Sequence, residues 1–236
     1  MKRKIGSILL IMSMFAVLLN GCESNGADEE VGASTEAQTE TQTEDAKEKT
    51  ETPATDENGI MSTGPNGEKA TPASEITLTD EEKEKIRSGG YKAAISLHYG
   101  GNDWATSQIE GLKATFEELG IELVATTDAD FSAEQQVSDI ETIMAKNPDV
   151  IVSIPTDATA TADAFQKAAK DGVKLVFMDN VPAGMTAGED YVSCVSADNY
   201  GNGCVAADLM GEALDGKGQI GMVYYDADFF VTNQRD

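Results

Sequence analysis

The sequence predicts an α/β fold, a doubly wound parallel sheet, and three observations point to it. Four apolar runs of strand length recur at 93–97, 122–125, 150–154 and 174–178. Between them lie stretches whose apolar residues return every three to five positions, the spacing of one helix face. The runs also end in polar loops that feed the next helical stretch, as at 98–103 and 155–158. Strands alternating with helices in this way imply βαβ units, right-handed crossovers and parallel pairing.

Taken in order, the chain opens with Lys2, Arg3 and Lys4, then an apolar stretch at 8–19 broken only by Ser13. About a dozen residues is short for a membrane-spanning helix, which needs roughly 20, and matches a secretory signal segment. It ends in Leu19-Asn20-Gly21-Cys22, which resembles the bacterial lipobox, with Asn20 departing from the small residue usual there. The resemblance implies that 1–21 is a lipoprotein signal peptide removed before Cys22, whose sulfur then carries lipid. Two acyl chains anchor a protein where one binds only reversibly. The expected location is therefore the extracytoplasmic face of the cell membrane. Residues 22–75 are rich in Thr, Glu, Ala, Ser and Gly, with TEAQTETQTE at 35–44 and, over 23–75, fourteen acids against three bases. Low hydrophobicity and one-signed charge predict a disordered acidic tether.

Residues 79–87 predict a short helix leading into the domain. After the first strand, Trp104, Ile109, Leu112, Phe116 and Leu119 define a helix face, closed by Gly120 just past its C-cap. Val137, Ile140 and Met144 define the next, with Ser132 and Gln135 placed as a capping box. Residues 160–169, ended by Gly172, supply a third helix. A further strand is expected at 190–195, a helix at 198–214 offering Val205, Leu209, Ala213 and Leu214 for packing, and a last strand at 219–225. A domain of this class finishing on a loop beyond a strand leaves one sheet face uncovered, so the chain reads as incomplete.

The net charge of −25 is spread over both parts, with twenty-eight acids and eleven bases in 76–236. Neutralising a phosphate backbone takes Lys and Arg, so nucleic acid is excluded as a partner. With a single histidine no Cys/His cluster can hold zinc, and Cys194 and Cys204 read as small buried apolar residues. The chain has no G-x-S-x-G elbow, no P-loop and no third glycine after Gly201-Asn202-Gly203. Neither enzyme chemistry nor a metal or cofactor is expected. A pair of glycosidase carboxylates stays open, because their separation is a matter of structure.

In an open α/β sheet, ligands bind beyond the carboxyl ends of the strands, where strand order reverses. The loops there hold Tyr99, Asn102, Trp104, Asp128, Asp130, Phe131, Thr156, Asp157, Asp179 and Asn180, and the first carries the chain's only histidine, His98. Carboxylates and amides reach adjacent hydroxyls in pairs, and an aromatic ring covers the apolar C–H face of a sugar. The combination suits a monosaccharide or similar polyol. Plainer roles exist for the same residues. Trp104 can open the core face of its helix, Asp103 and Asp157 can be N-terminal acids favoured by the helix dipole, and His98 can be an ordinary loop residue.

These junctions resemble the type I periplasmic sugar-binding proteins, the ribose-binding-like solute receptors of ABC importers. Asn102-Asp103-Trp104 stands where that family has Asn, a variable residue and a sugar-stacking aromatic. Pro155-Thr156-Asp157 matches its Pro-Thr-Asp after the third strand, and Asp179-Asn180 its Asp-Arg or Asp-Asn pair, whose Asp binds sugar hydroxyls. Ser196-Ala197-Asp198-Asn199-Tyr200, with Gly203, matches the segment where the chain crosses between two lobes, and Arg235 the Arg that reaches the sugar from the second. The resemblance implies a lipid-anchored extracytoplasmic solute-binding protein with no catalytic residues and no cofactor. It would close its lobes on a sugar, contact it through Tyr99, Asn102, Trp104, Thr156, Asp157, Asp179, Asn180 and Arg235, and deliver it to an ABC permease in the membrane. A sugar-sensing domain feeding a receptor kinase and an exported glycosidase are the alternatives. Asn180 in place of the frequent Arg removes a fork of donors and points away from ribose. On this reading 76–196 is the first lobe, and 197–236 begins a second that lacks most of its elements.

Overall fold

The computed structural model describes residues 59–224 and 229–236. The signal segment 1–21, the expected lipidation site Cys22 and most of the tether lie outside the described residues. Five strands, β1 (Lys92–Leu97), β2 (Glu122–Asp128), β3 (Val150–Ser153), β4 (Lys174–Met178) and β5 (Ser193–Val195), form one sheet in the order β2-β1-β3-β4-β5, every pair parallel. Helix α1 (Asp80–Gly89) precedes the sheet, and α2 (Asp103–Glu118), α3 (Ala133–Met144) and α4 (Ala162–Lys170) join its strands. Helices α5 (Asn199–Ala213) and α6 (Phe230–Arg235) follow β5. The α/β class and the doubly wound parallel sheet are as the sequence predicts.

Strand order reverses between β1 and β3. The chain steps outward from β1 to β2, then returns past β1 to lay down β3, β4 and β5 on its other side. A crevice opens at the carboxyl ends of the two strands where such a reversal occurs.

Alternate residues of each strand point to opposite faces, and each face has its own core. On one, Ile140 and Ile143 of α3 and Phe165 and Ala168 of α4 cover Ala94, Ile151, Leu175 and Phe177. On the other, Ala105 and Phe116 of α2 cover Ile95, Leu97, Val152 and Met178. Burial on both faces is why the β1 and β3 sequences read as unbroken apolar runs. Phe177 meets Phe165 and Tyr191 edge-on, with ring centroids 5.2 and 5.4 Å apart, contacts worth about 0.5–1.5 kcal/mol each beyond their buried area.

Capping sets where the helices start. Thr79 and Glu82 form a complete capping box on α1. At α3 only half of the expected box forms. Ser132 Oγ accepts from the Gln135 N–H at 3.2 Å, but the Gln135 amide turns forward to donate to Asp139 Oδ1 at 2.7 Å. That carboxylate lies one helical turn on, within easy reach.

Four further differences have physical causes. The buried face of α3 is Gln136, Ile140 and Ile143, a rotation from the expected Val137, Ile140 and Met144. Trp104 is not part of the core face of α2; Ala105 is buried there and Trp104 is 46% exposed. No strand forms over 219–224, and Val205 and Leu209 of α5 and its C-cap Leu214 are exposed. A strand must pair its N–H and C=O groups with a neighbour, and none of the described strands runs beside this segment. Finally, 59–75 was expected to be unstructured. It carries an antiparallel bridge between Thr63 and Lys69 and a short 3-10 turn at Ala73–Glu75, and it is bonded to the start of α5.

Candidate functional site

Three strands deliver polar groups to the crevice. Beyond β1 the chain enters a loop whose Asn102 Oδ1 accepts from the Ala105 N–H at 2.8 Å, capping α2. One acceptor of Asn102 is therefore committed to the fold, and its amide nitrogen is what remains for a ligand. Gly101 allows a close approach: a Cβ there would collide with the Tyr99 phenol, whose hydroxyl donates to the Gly101 carbonyl at 3.3 Å. Tyr99 in turn stacks on Phe131 from the loop after β2, with centroids 4.6 Å apart and planes 17° from parallel. His98 meets the same ring edge-on at 5.3 Å. Burial lowers the His98 pKa, with Asp179 and Asp128 pulling it the other way, and its Nδ1 is buried without a hydrogen-bond partner.

Beyond β3, the turn is held by a buried polar node. Gln136 of α3 is fully buried. Its Nε2 donates to the Ile154 carbonyl at 2.9 Å, and its Oε1 accepts from the Thr156 N–H at 2.6 Å. Ser153 Oγ donates to the Ser96 carbonyl at 2.7 Å beside it. The node fixes the backbone of Thr156, whose Oγ1 is buried with no partner. Asp157 Oδ1 accepts from the N–H groups of Thr159 and Ala160 at 2.9 and 2.6 Å. These bonds close the turn at 157–160, and the acid in the first turn of α4 is Asp163 instead.

Beyond β4, Asp179 sits at φ 59° and the Asn180 N–H donates to the Met178 carbonyl at 2.7 Å, closing a three-residue γ-turn. A left-handed γ-turn is a strained conformation, and strain of this kind collects at ligand sites. The turn presents the Asp179 carboxylate, whose Oδ1 accepts from Ser196 Oγ at 2.9 Å. Asn180 Oδ1 is a third buried acceptor without a partner. Cys194 beneath it is unpaired, and its thiol points at the Asp179 carbonyl at 3.5 Å. Burial, with the charges of Asp179 and Glu68, pushes that thiol up to about 12.

The segment that leads into α5 is tied to residues 61 and 62. Asp198 caps α5 through the Gly201 N–H at 3.1 Å and accepts from the Met61 N–H, the Ser62 N–H and Ser62 Oγ at 3.1, 2.9 and 2.8 Å. Ser62 Oγ also accepts from the Tyr200 N–H at 3.0 Å. Arg235 has its charged partner at the chain end. It ends α6, pairs with Asp236 at 3.4 Å, and its carbonyl lies against Gly203, where a Cβ would collide. Cys204 is free and half-buried. Among the described residues no group of three or more His, Cys, Asp or Glu side chains could hold a metal ion, and no helix is long and apolar enough to cross a membrane.

The structure therefore places Tyr99, Thr156, Asp179 and Asn180 at the strand ends, keeps Trp104 exposed just beyond Asn102, and pairs Arg235 with Asp236. The sequence reading overlooked Gln136, and it placed Ser196 in the crossover segment without the bond to Asp179. The 136/140/143 spacing is itself a helix face, and it was the signal available for Gln136.

Residues 93–236 match the model of a family described as periplasmic binding protein domain. No curated protein matches the chain. Solved structures with a similar fold include a Caulobacter myo-inositol binding protein bound to myo-inositol, at 21% identity and a TM-score of 0.54, covering 62% of this chain and 48% of that one. A solute binding protein of an ABC transporter from Agrobacterium vitis, bound with α-D-tagatopyranose, is 24% identical with a TM-score of 0.54, over 61% of this chain and 51% of its own. A periplasmic counterpart from Actinobacillus succinogenes with bound D-allose is 26% identical with a TM-score of 0.52, over 61% and 52%. The chain spans about half the length of these structures. At such identities the first two show the fold alone.

Proposed function

The chain belongs to the periplasmic binding protein domain family, and from that premise we propose that it is a lipid-anchored, extracytoplasmic solute receptor of an ABC importer that takes a neutral monosaccharide or similar polyol. One observation carries the reading. His98 Nδ1, Thr156 Oγ1 and Asn180 Oδ1 follow three neighbouring strands and are all buried without a hydrogen-bond partner. A buried polar group left unpaired costs about 1–3 kcal/mol, so three at one end of a sheet describe a surface made to be completed by hydroxyls. Asp179 supplies a charged acceptor beside them, and the exposed rings of Trp104 and Phe131 supply apolar faces.

Mechanistically, no bond in the ligand is made or broken. Asp179, Asn180 and Thr156 take hydroxyls in adjacent pairs, the aromatic rings exclude water from the C–H face, and a second lobe closes over the ligand. We assign 22–75 as the tether from Cys22, 76–196 as the first lobe and 197–236 as the start of the second, with Arg235 brought in from that side. Sugar receptors of this kind are themselves without enzymatic activity. The test is ligand-observed NMR on the full chain with D-allose, D-tagatose and myo-inositol at millimolar concentration. Saturation transfer to at least one of them, with quenching or enhancement of Trp104 fluorescence, is the expected result. No transfer to any of the three overturns the reading. Radiolabelled acyl-chain incorporation that disappears in Cys22→Ala tests the anchor separately.

A further inference from the structure

The loop after β2 breaks a local rule. Ser132 donates its N–H to the Ala129 carbonyl at 2.8 Å, closing a four-residue turn, and both central residues lie in the left-handed region, Asp130 at φ 47° and Phe131 at φ 60°. Turns with two positive φ values are made by Asn-Gly, Asp-Gly or Gly-Gly. Asp is among the residues tolerated there, and the Asp130 N–H is held by the neighbouring Asp128 Oδ1 at 2.9 Å. A phenylalanine in that conformation is a steric outlier. Glycine would make the same turn without strain.

Nor does the ring gain burial in compensation. Phe131 is 61% exposed. Tyr99 stacks on it and His98 meets it at a steep angle, and most of the side chain stays open to solvent. The main chain is held as firmly as the ring, since the Phe131 N–H donates to the His98 carbonyl at 2.7 Å. A strained backbone that holds an exposed ring beside unpaired polar atoms is the kind of outlier from which function is inferred.

We propose that Phe131, backed by Tyr99, is a ligand contact that selects cyclic over acyclic polyols. A pyranose, furanose or cyclitol ring offers a flat patch of C–H groups matched to an aromatic face. An open-chain polyol must lose rotational freedom before it can present one. The proposal rests on the receptor reading above and adds to it a residue and a shape criterion.

The experiment compares the full chain with Phe131→Gly and Phe131→Trp, using D-allose and myo-inositol as cyclic probes and D-sorbitol as the acyclic one. In the parent chain the cyclic probes bind more tightly than sorbitol. Phe131→Gly is expected to lose about tenfold in affinity for the cyclic probes, to lose little for sorbitol, and to melt no lower than the parent because the turn is relieved. Phe131→Trp retains the preference. A Phe131→Gly chain that melts lower while binding cyclic probes as the parent does gives Phe131 a purely structural role and overturns the proposal. If the parent binds none of the probes, the receptor reading fails and this assignment with it. If the parent binds but shows no cyclic preference, only the present assignment fails.

Discussion

The Ser196 hydroxyl donates to Asp179 Oδ1 at 2.9 Å, joining the loop that leaves β4 to the segment that leaves β5. The bond spends one of the carboxylate's accepting directions on orientation and keeps the rest for a ligand, since an ionised carboxylate offers about four lone-pair sites. Asp179→Asn preserves size and tolerates the left-handed backbone, so it isolates the charge. Affinity for the cyclic probe that binds the parent is expected to fall about ten- to a hundredfold, the worth of a hydrogen bond to a charged group. Ser196→Ala is expected to cost severalfold. Titration calorimetry measures both; equal affinity in Asp179→Asn would remove Asp179 from the site.

Gln136→Leu removes the partners of the Ile154 carbonyl and the Thr156 N–H inside the fold. Leaving those groups buried and unpaired costs about 1–3 kcal/mol, read as a Tm lower by roughly 3–10 °C. Gln136→Glu is expected to be no better, because a carboxylate cannot donate to Ile154. A Tm unchanged in both variants would show that the node contributes nothing.

Acid should weaken the fold through His98. Burial holds its folded pKa below the ordinary 6.5. The unfolded chain therefore takes up the proton first as pH falls, so the contribution is complete above about 6.5 and declines below it, toward the folded value. Thermal melts from about pH 7.5 to about pH 5 should show this decline in the parent and lose that part of it in His98→Gln. A parallel decline in both proteins would assign it elsewhere.

Asp198 should act in the same sense, over a lower pH range. Burial raises its pKa, but the bonds from Ser62 Oγ and from the N–H groups of Met61, Gly201 and Ser62 outweigh that and leave it below the ordinary 3.8. Its contribution is present above that value and is lost as pH falls through the folded one. Asp198→Ala is expected to lose a helix cap worth about 1 kcal/mol and to speed hydrogen exchange at the Met61 and Ser62 amides. Exchange rates that do not change would show that these bonds do not persist in solution.

The Cys194 thiol, held near 12 by burial and the charges of Asp179 and Glu68, should resist alkylation, because the thiolate is the reactive form. Iodoacetamide at neutral pH is expected to spare Cys194 in the folded chain and to modify it in urea, as read by peptide mass spectrometry. Rapid native modification would contradict the burial.

How far the fold could be read in advance follows from the same residues. β1, β3 and β4 were legible because strands buried on both faces leave unbroken apolar runs, and α2 because Phe116 and Leu119 repeat on one face. The 219–225 run has equal strand character, yet a strand exists only by virtue of a neighbour, which composition cannot supply. Asp179, Asn180 and Thr156 could be found from their place at strand ends. The stacking of Phe131 on Tyr99 could not, because it depends on a phenylalanine occupying a glycine's conformation. Nor could the role of Ser62, whose partner lies 136 residues away and left no local signal.

That distant pairing has a mechanical consequence for the proposed receptor. Ser62 grips the chain where α5 begins, at what would be that receptor's crossover between lobes. A leash fastened at a pivot has almost no lever arm. In such a receptor the two halves would swing about their shared axis without winding in or paying out a cord that led to the envelope, and tension along it would be borne by the axle instead of prying the jaws apart.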